Sequence, residues 1–200
     1  MVTIPSLGRT VTSRERFARI FAIGDRSNPS AYTPSMVLID DEDSLEVADA
    51  PFRMLRDSSK APAELRMKTR ANLCPPFDDP VVWEASEGLS LPPSLIESDA
   101  GIFPHGDAFL PVTAQSLLHD STLSNLEVEP SIICFVDSLQ LVNNDSLLIK
   151  SLDSVKRRFP SSLIWMPGIS GPDNCSLLAW MGVDLMDLIR VKRAFSKGIH

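Results

Sequence analysis

Between Ser131 and Gly198 the apolar positions fall into an alternating order of runs and stripes that is weaker in the rest of the chain. Ser131-Ile132-Ile133-Cys134-Phe135-Val136 is a continuous apolar run, short enough for a strand buried on both faces. Leu148, Leu152, Val155 and Phe159 then recur at helical spacing, with Asn144 or Asp145 placed to cap that helix. A second apolar run, Ser162–Met166, leads into the Gly/Pro loop Pro167-Gly168-Ile169-Ser170-Gly171. The next helix is predicted to open at Pro172, where a missing N–H costs nothing, with Asp173 in its first turn facing the positive end of the dipole. Gly182 supplies the left-handed position that ends this helix, and Val183–Met186 is a third apolar run. The order is β-α-β-α-β, and crossovers of this length join parallel strands.

The first part of the chain is patterned less clearly. Residues 1–40 read as a small β element: Arg14–Ile23 mixes charged and apolar positions, Gly24–Ser30 is turn chemistry, and Ser35-Met36-Val37-Leu38-Ile39 is a compact strand signal. Residues 40–130 read as irregular. Within them Ala50–Arg70 is predicted to be helical around Phe52, Leu55 and Leu65, limited by Pro51 and Pro62. Leu73–Pro80 and Leu89–Pro93 are Pro-rich and read as surface loops, Ala108–Val112 as a short strand and Thr113–Leu118 as a turn of helix.

These elements predict one α/β domain over residues 1–200, barrel-like in the TIM manner, with the parallel unit at 131–198 as its core. A (β/α)₈ barrel typically takes about 250 residues, so 200 residues imply an incomplete or irregular one, or a portion of a longer chain. Ligands of such folds gather at the carboxyl ends of the strands. Here those ends carry Asp137-Ser138, Pro167-Gly168 and Asp187, so Asp137, Gly168 and Asp187 are expected on one rim. Gly168, lacking a Cβ, would let a ligand approach closely.

Composition narrows the function classes. A net charge of -7 argues against a protein that grips nucleic acid over its whole surface, but phosphate contacts need only a local basic patch, and Arg190, Lys192, Arg193 and Lys197 follow Asp187 directly. Lys156, Arg157 and Arg158 close the preceding helix and read as dipole complements. Cys74, Cys134 and Cys175 are far apart and have no histidine at ligand spacing, which fits reduced thiols in the cytoplasm, with Cys134 a small core residue. The acidic run Asp40-Asp41-Glu42-Asp43 reads as a solvated loop, and His105 and Asp107 as loop residues rather than an acid/base pair. No metal and no cofactor is expected, and no window reaches transmembrane length.

The sequence also carries a resemblance. Gly182-Val183-Asp184-Leu185-Met186-Asp187, preceded by the Gly-Pro-helix element and followed by Arg193 and Gly198, resembles the late-barrel segment of the tRNA-guanine transglycosylase superfamily. Trp165-Met166-Pro167-Gly168-Ile169, together with Leu177-Leu178-Ala179-Trp180-Met181-Gly182-Val183-Asp184, is similar to its archaeosine synthase branch. Thr33-Pro34 resembles the pair that opens the family's barrel, although the likeness is concentrated in the last third of the chain.

The resemblance implies tRNA modification in archaeal archaeosine biosynthesis, with tRNA and a 7-deazaguanine-type base as partners. It places Asp187 where the base-exchanging enzymes have their nucleophile, and Arg193, with the strand-end residues Asp137 and Gly168, is then expected at the substrate, although the family's Gly-Gly-Leu-Ala-Val-Gly-Glu stretch has no counterpart at Phe135-Val136-Asp137-Ser138. Those enzymes continue with Cys-x-x-Pro-Thr-Arg, whereas this chain has Leu188-Ile189-Arg190-Val191-Lys192-Arg193. Their base-recognition stretch has only Asp99-Ala100-Gly101-Ile102-Phe103 as a distant counterpart, and their Cys/His zinc site is absent. Three readings follow, in this order: an archaeosine-synthase-like domain that works as a homodimer or with a further C-terminal RNA-binding portion; base exchange through Asp187; and a non-catalytic tRNA-binding scaffold in which Asp137 and Asp187 bond loop backbone.

Overall fold

The computed structural model of the chain describes residues 8–39, 52–54, 71–73, 109–119, 129–135 and 137–198. Three strands come first, β1 (Arg9–Glu15), β2 (Ala18–Gly24) and β3 (Pro29–Tyr32), and form an antiparallel sheet in that order. Seven further strands form one parallel sheet. They are β4 (Ser35–Ile39), β5 (Phe52–Met54), β6 (Ala71–Leu73), β7 (Phe109–Val112), β8 (Ile132–Phe135), β9 (Leu163–Trp165) and β10 (Leu185–Asp187). Their order is β6-β5-β4-β10-β9-β8-β7. The first of the parallel strands therefore lies beside the last, with Leu185 opposite Ser35 and Asp187 opposite Val37.

The helices are α1 (Ala114–His119), α2 (Ser138–Leu141), α3 (Asp145–Arg158), α4 (Cys175–Trp180) and α5 (Ile189–Ser196). The side chain of Asn144 caps α3 by accepting from the Leu147 N–H at 3.1 Å, one of the four N–H groups a helix start leaves unpaired. The predicted stripe Leu148, Leu152, Val155 and Phe159 is buried. It packs against Ile133, Phe135, Ile164 and Met186 from one face of the sheet, each such side chain contributing about 1.5–3 kcal/mol on full burial. Because side chains alternate along a strand, Ile132, Cys134, Leu163, Trp165, Leu185 and Asp187 belong to the opposite face. That face is buried as well, as the unbroken apolar runs of the sequence require.

Several boundaries differ from expectation. α4 begins at Cys175, not Pro172, because Asn174 folds back on the loop: its Oδ1 accepts from the Gly171 N–H (2.8 Å) and its Nδ2 donates to the Ile169 carbonyl (3.0 Å). That side chain competes with the helix for the backbone of residues 171–174. Asp173, expected in the first helical turn, instead pairs with Arg190. Phe52–Met54, expected within a helix, is a strand paired on both sides, Phe52 lying opposite Val37 and Ala71. Leu73, expected in a loop, ends β6. The acidic run 40–43, Cys74, Asp99–Phe103, His105 and Asp107 lie outside the described residues. No helix among the described residues is long and apolar enough to cross a membrane.

At the amino ends of the parallel strands the antiparallel sheet is tied on through buried polar contacts. Arg19 of β2 is 4% exposed, and its guanidinium donates to Asp184 Oδ1 (3.1 Å) and Oδ2 (2.6 Å) and to the carbonyls of Pro160 (2.9 Å) and Ser162 (2.6 Å). Asp184 Oδ2 also accepts from the Ile164 N–H at 2.8 Å. Burial pushes the Asp184 carboxyl above its usual range, against the opposing pull of Arg19. Arg9 of β1 adds bonds to Ser131 Oγ (2.9 Å) and the Pro130 carbonyl (3.1 Å). This end of the sheet is closed by structural contacts.

Candidate functional site

The carboxyl ends of β8, β9 and β10 come together as the strand arithmetic predicts. Residue 137 follows β8, Pro167-Gly168 follows β9, and Asp187 ends β10. The Ser138 hydroxyl donates to the Pro167 carbonyl, joining the first end to the second. The Gly168 N–H donates to both Asp187 oxygens, at 3.1 and 3.0 Å, joining the second to the third. Gly168 has a φ of 78°, in the left-handed region that a side chain disfavours, and this conformation turns its N–H toward the carboxylate.

Asp187 is 1% exposed, and its carboxylate is engaged all round. Besides Gly168, Oδ1 accepts from the Ile189 N–H at 3.0 Å, an Asx turn that opens α5, and Oδ2 from Trp165 Nε1 at 3.3 Å. The backbone of Asp187 is held in turn by Ser170, whose hydroxyl donates to its carbonyl (2.5 Å) and accepts from its N–H (3.2 Å). This is the loop-capping arrangement. A carboxylate with both oxygens bonded to fixed donors has little freedom to attack a carbon.

Asp137 is the contrasting group. Its Oδ2 accepts from the Ala114 N–H of α1 at 2.9 Å, while Oδ1 is buried with no hydrogen-bond partner among the described residues. Desolvation is the larger influence on it and raises its pKa, with the Ala114 N–H pulling the other way. A buried polar atom without a protein partner takes a water, an ion or a ligand group, or stores strain. Cys134, on the same sheet face, is fully buried, and burial together with the charges of Asp187 and Asp137 pushes its thiol well above the ordinary range. It behaves as a small apolar core residue and not as a thiolate.

The basic residues after Asp187 lie on α5, a helix absent from the sequence reading, because Leu188-Ile189 continues the preceding apolar run. Arg190 is committed: it holds Asp173 through two bonds of 2.9 and 2.8 Å and lowers the pKa of that carboxyl. Lys192 and Lys197 are on or next to α5, and the backbone of Arg193 is within it. In α3, Lys156 bonds the carbonyls of Phe17 and Met181, both outside the helix, and Arg157 pairs with Asp153 at 2.9 Å. Trp165, Ser138 and Ser170 organise the rim without having been singled out for that role; the sequence signal was their position at the strand ends and in the following loop. No protein-family model matches the chain, and no curated protein matches it.

Proposed function

We propose that this chain is a tRNA-modification domain of the archaeosine synthase kind, one that seats a 7-deazaguanine-type base at the β8–β10 rim without exchanging it. The observation that carries this reading is the division of labour between two buried carboxyls. Asp187 is consumed by backbone and indole N–H groups, whereas one oxygen of Asp137 has no partner among the described residues. A buried carboxyl oxygen of that kind suits the N–H edge of a heterocycle. Base exchange through Asp187 is disfavoured by the same contacts, because a nucleophile must be free to move onto the anomeric carbon.

The architecture that best accommodates this is a (β/α)-barrel. Three features support it, although β6 and β7 are edges that do not pair among the described residues: the first and last parallel strands, β4 and β10, are adjacent; the helix-side core lies on one face; and the other face is buried too.

The test uses tRNA carrying 7-cyano-7-deazaguanine and the same tRNA with guanine at that position. The chain should bind the first more tightly, Asp137→Ala should erase the preference, and labelled guanine should not be incorporated. Robust guanine incorporation that is abolished by Asp187→Asn would replace this reading with transglycosylation. Equal binding of both tRNAs by the wild type would remove the base from the proposal.

A further inference from the structure

The outward face of α5 combines charge with an exposed aromatic ring. Residues 190–197 hold Arg190, Lys192, Arg193 and Lys197 and no acid; removing these four cations takes the net charge of the chain from -7 to -11. Arg190 is held by Asp173, while Lys192 and Lys197 are exposed. Val191 and Lys192 lie one turn before Phe195 and share its side of the helix. Phe195 is 72% exposed, the most of any large hydrophobic residue among those described. A ring so placed has most of its apolar face still to cover.

This helix begins at the rim. Asp187 Oδ1 accepts from the Ile189 N–H, and Phe195 is six residues further on, about 9 Å along the helix at 1.5 Å per residue. An RNA strand whose base enters the rim therefore runs within reach of this face. A base that enters a buried carboxyl site has left its stack, so the nucleotides beside it can splay out and present their π-faces. Stacking on an aromatic ring, with a cation for the phosphate, is how proteins hold such nucleotides. Two other uses of the face fit it less well. A duplex offers phosphates to Lys192 but no base face to Phe195, and two apolar residues on an eight-residue helix make a small patch for insertion into a lipid surface.

We propose that α5 stacks an unpaired nucleotide flanking the seated base on Phe195, with that nucleotide's phosphate at Lys192. This rests on the reading of the rim as a tRNA site, and it adds a contact that is blind to the modification. Asp137 distinguishes one base from another, whereas Phe195 holds the strand on which that base is carried. The acidic remainder of the chain repels RNA elsewhere, which confines the strand to this side of the rim.

The experiment measures binding of the full chain to tRNA carrying guanine or 7-cyano-7-deazaguanine, over a series of salt concentrations. Phe195→Ala should weaken both tRNAs alike, about 5- to 150-fold, the range for one base stacked on an aromatic ring, and should leave the ratio between them unchanged. Phe195→Trp should restore the affinity. Lys192→Gln should flatten the slope of log K against log salt by about 0.7, one phosphate on a single strand. The exposure of Phe195 means that neither substitution there disturbs the core. If wild type binds both tRNAs equally and Phe195→Ala still weakens both, this inference stands and the reading of the base falls. If the preference is seen and Phe195→Ala binds as wild type does, the inference falls and the reading of the base stands. Equal binding of duplex RNA, or of phosphatidylglycerol vesicles, in a manner that ignores Phe195 would also overturn it, since α5 would then be an unspecific basic patch.

Discussion

Asp137 and Asp187 are the same residue type at equivalent strand ends, yet their surroundings give them opposite characters. Asp187 gathers N–H donors from three directions, and Asp137, among the described residues, has a donor on Oδ2 and none on Oδ1. The raised pKa of Asp137 gives a pH dependence whose sign is fixed. A carboxyl that is harder to ionise when folded contributes most at pH values below about 3.9, its unfolded pKa, and loses that contribution as pH rises through the folded value. Asn at 137 retains an oxygen for the Ala114 N–H and never ionises. Thermal unfolding of Asp137→Asn and wild type between pH 4 and 7 should therefore show the difference moving in favour of the variant as pH rises; a constant offset would mean that Asp137 ionises freely in the fold.

At the scale of elements, the punctuation residues proved more informative than the propensities. Asn144 caps α3 as its position before the apolar stripe suggests, and Gly182 ends α4 with a φ of 87°. The space around Gly182 is also closed: a Cβ there would collide with the Phe17 carbonyl oxygen and with Lys156 Nζ. Left-handed backbone costs a residue with a side chain about 1–2 kcal/mol, and the collision with backbone adds to it. Gly182→Ala should destabilise by at least about 2 kcal/mol in urea unfolding, and Lys156→Met should not rescue it, because the Phe17 oxygen stays in place. α2, β5 and β6 were not legible because, unlike the equally short β8, β9 and β10, they lie in no continuous apolar run that marks them. Their existence rests on pairing with neighbours remote in sequence.

For the whole molecule, the decisive join is between the antiparallel sheet and the amino ends of the parallel one. Arg19 and Asp184 are the charged pair at that join, both buried. Neutralising one partner of such a pair leaves the other charge uncompensated, an effect of about 3–5 kcal/mol. Asp184→Asn should therefore unfold at markedly lower denaturant, and adding Arg19→Met should recover part of the loss while the Asn oxygen keeps the Ile164 N–H satisfied. If the double variant is no more stable than Asp184→Asn, the charge is not what the join depends on.

Taken by itself, the sequence determined the alternation of strands and helices from Ser131 onward, the stripe of α3, its cap, the left-handed stop at Gly182 and the meeting of Asp137, Gly168 and Asp187 at one edge. Each of these follows from a local period or a local conformational requirement. Only the tertiary structure decided that β4 pairs with β10, that Phe52–Met54 is a strand, that Arg19 meets Asp184, and that Asp187 is bound up while Asp137 is not. Those outcomes depend on contacts between residues far apart along the chain, and on which buried oxygen, such as Asp137 Oδ2 but not Oδ1, finds a donor within about 3 Å among the described residues, neither of which a local pattern encodes.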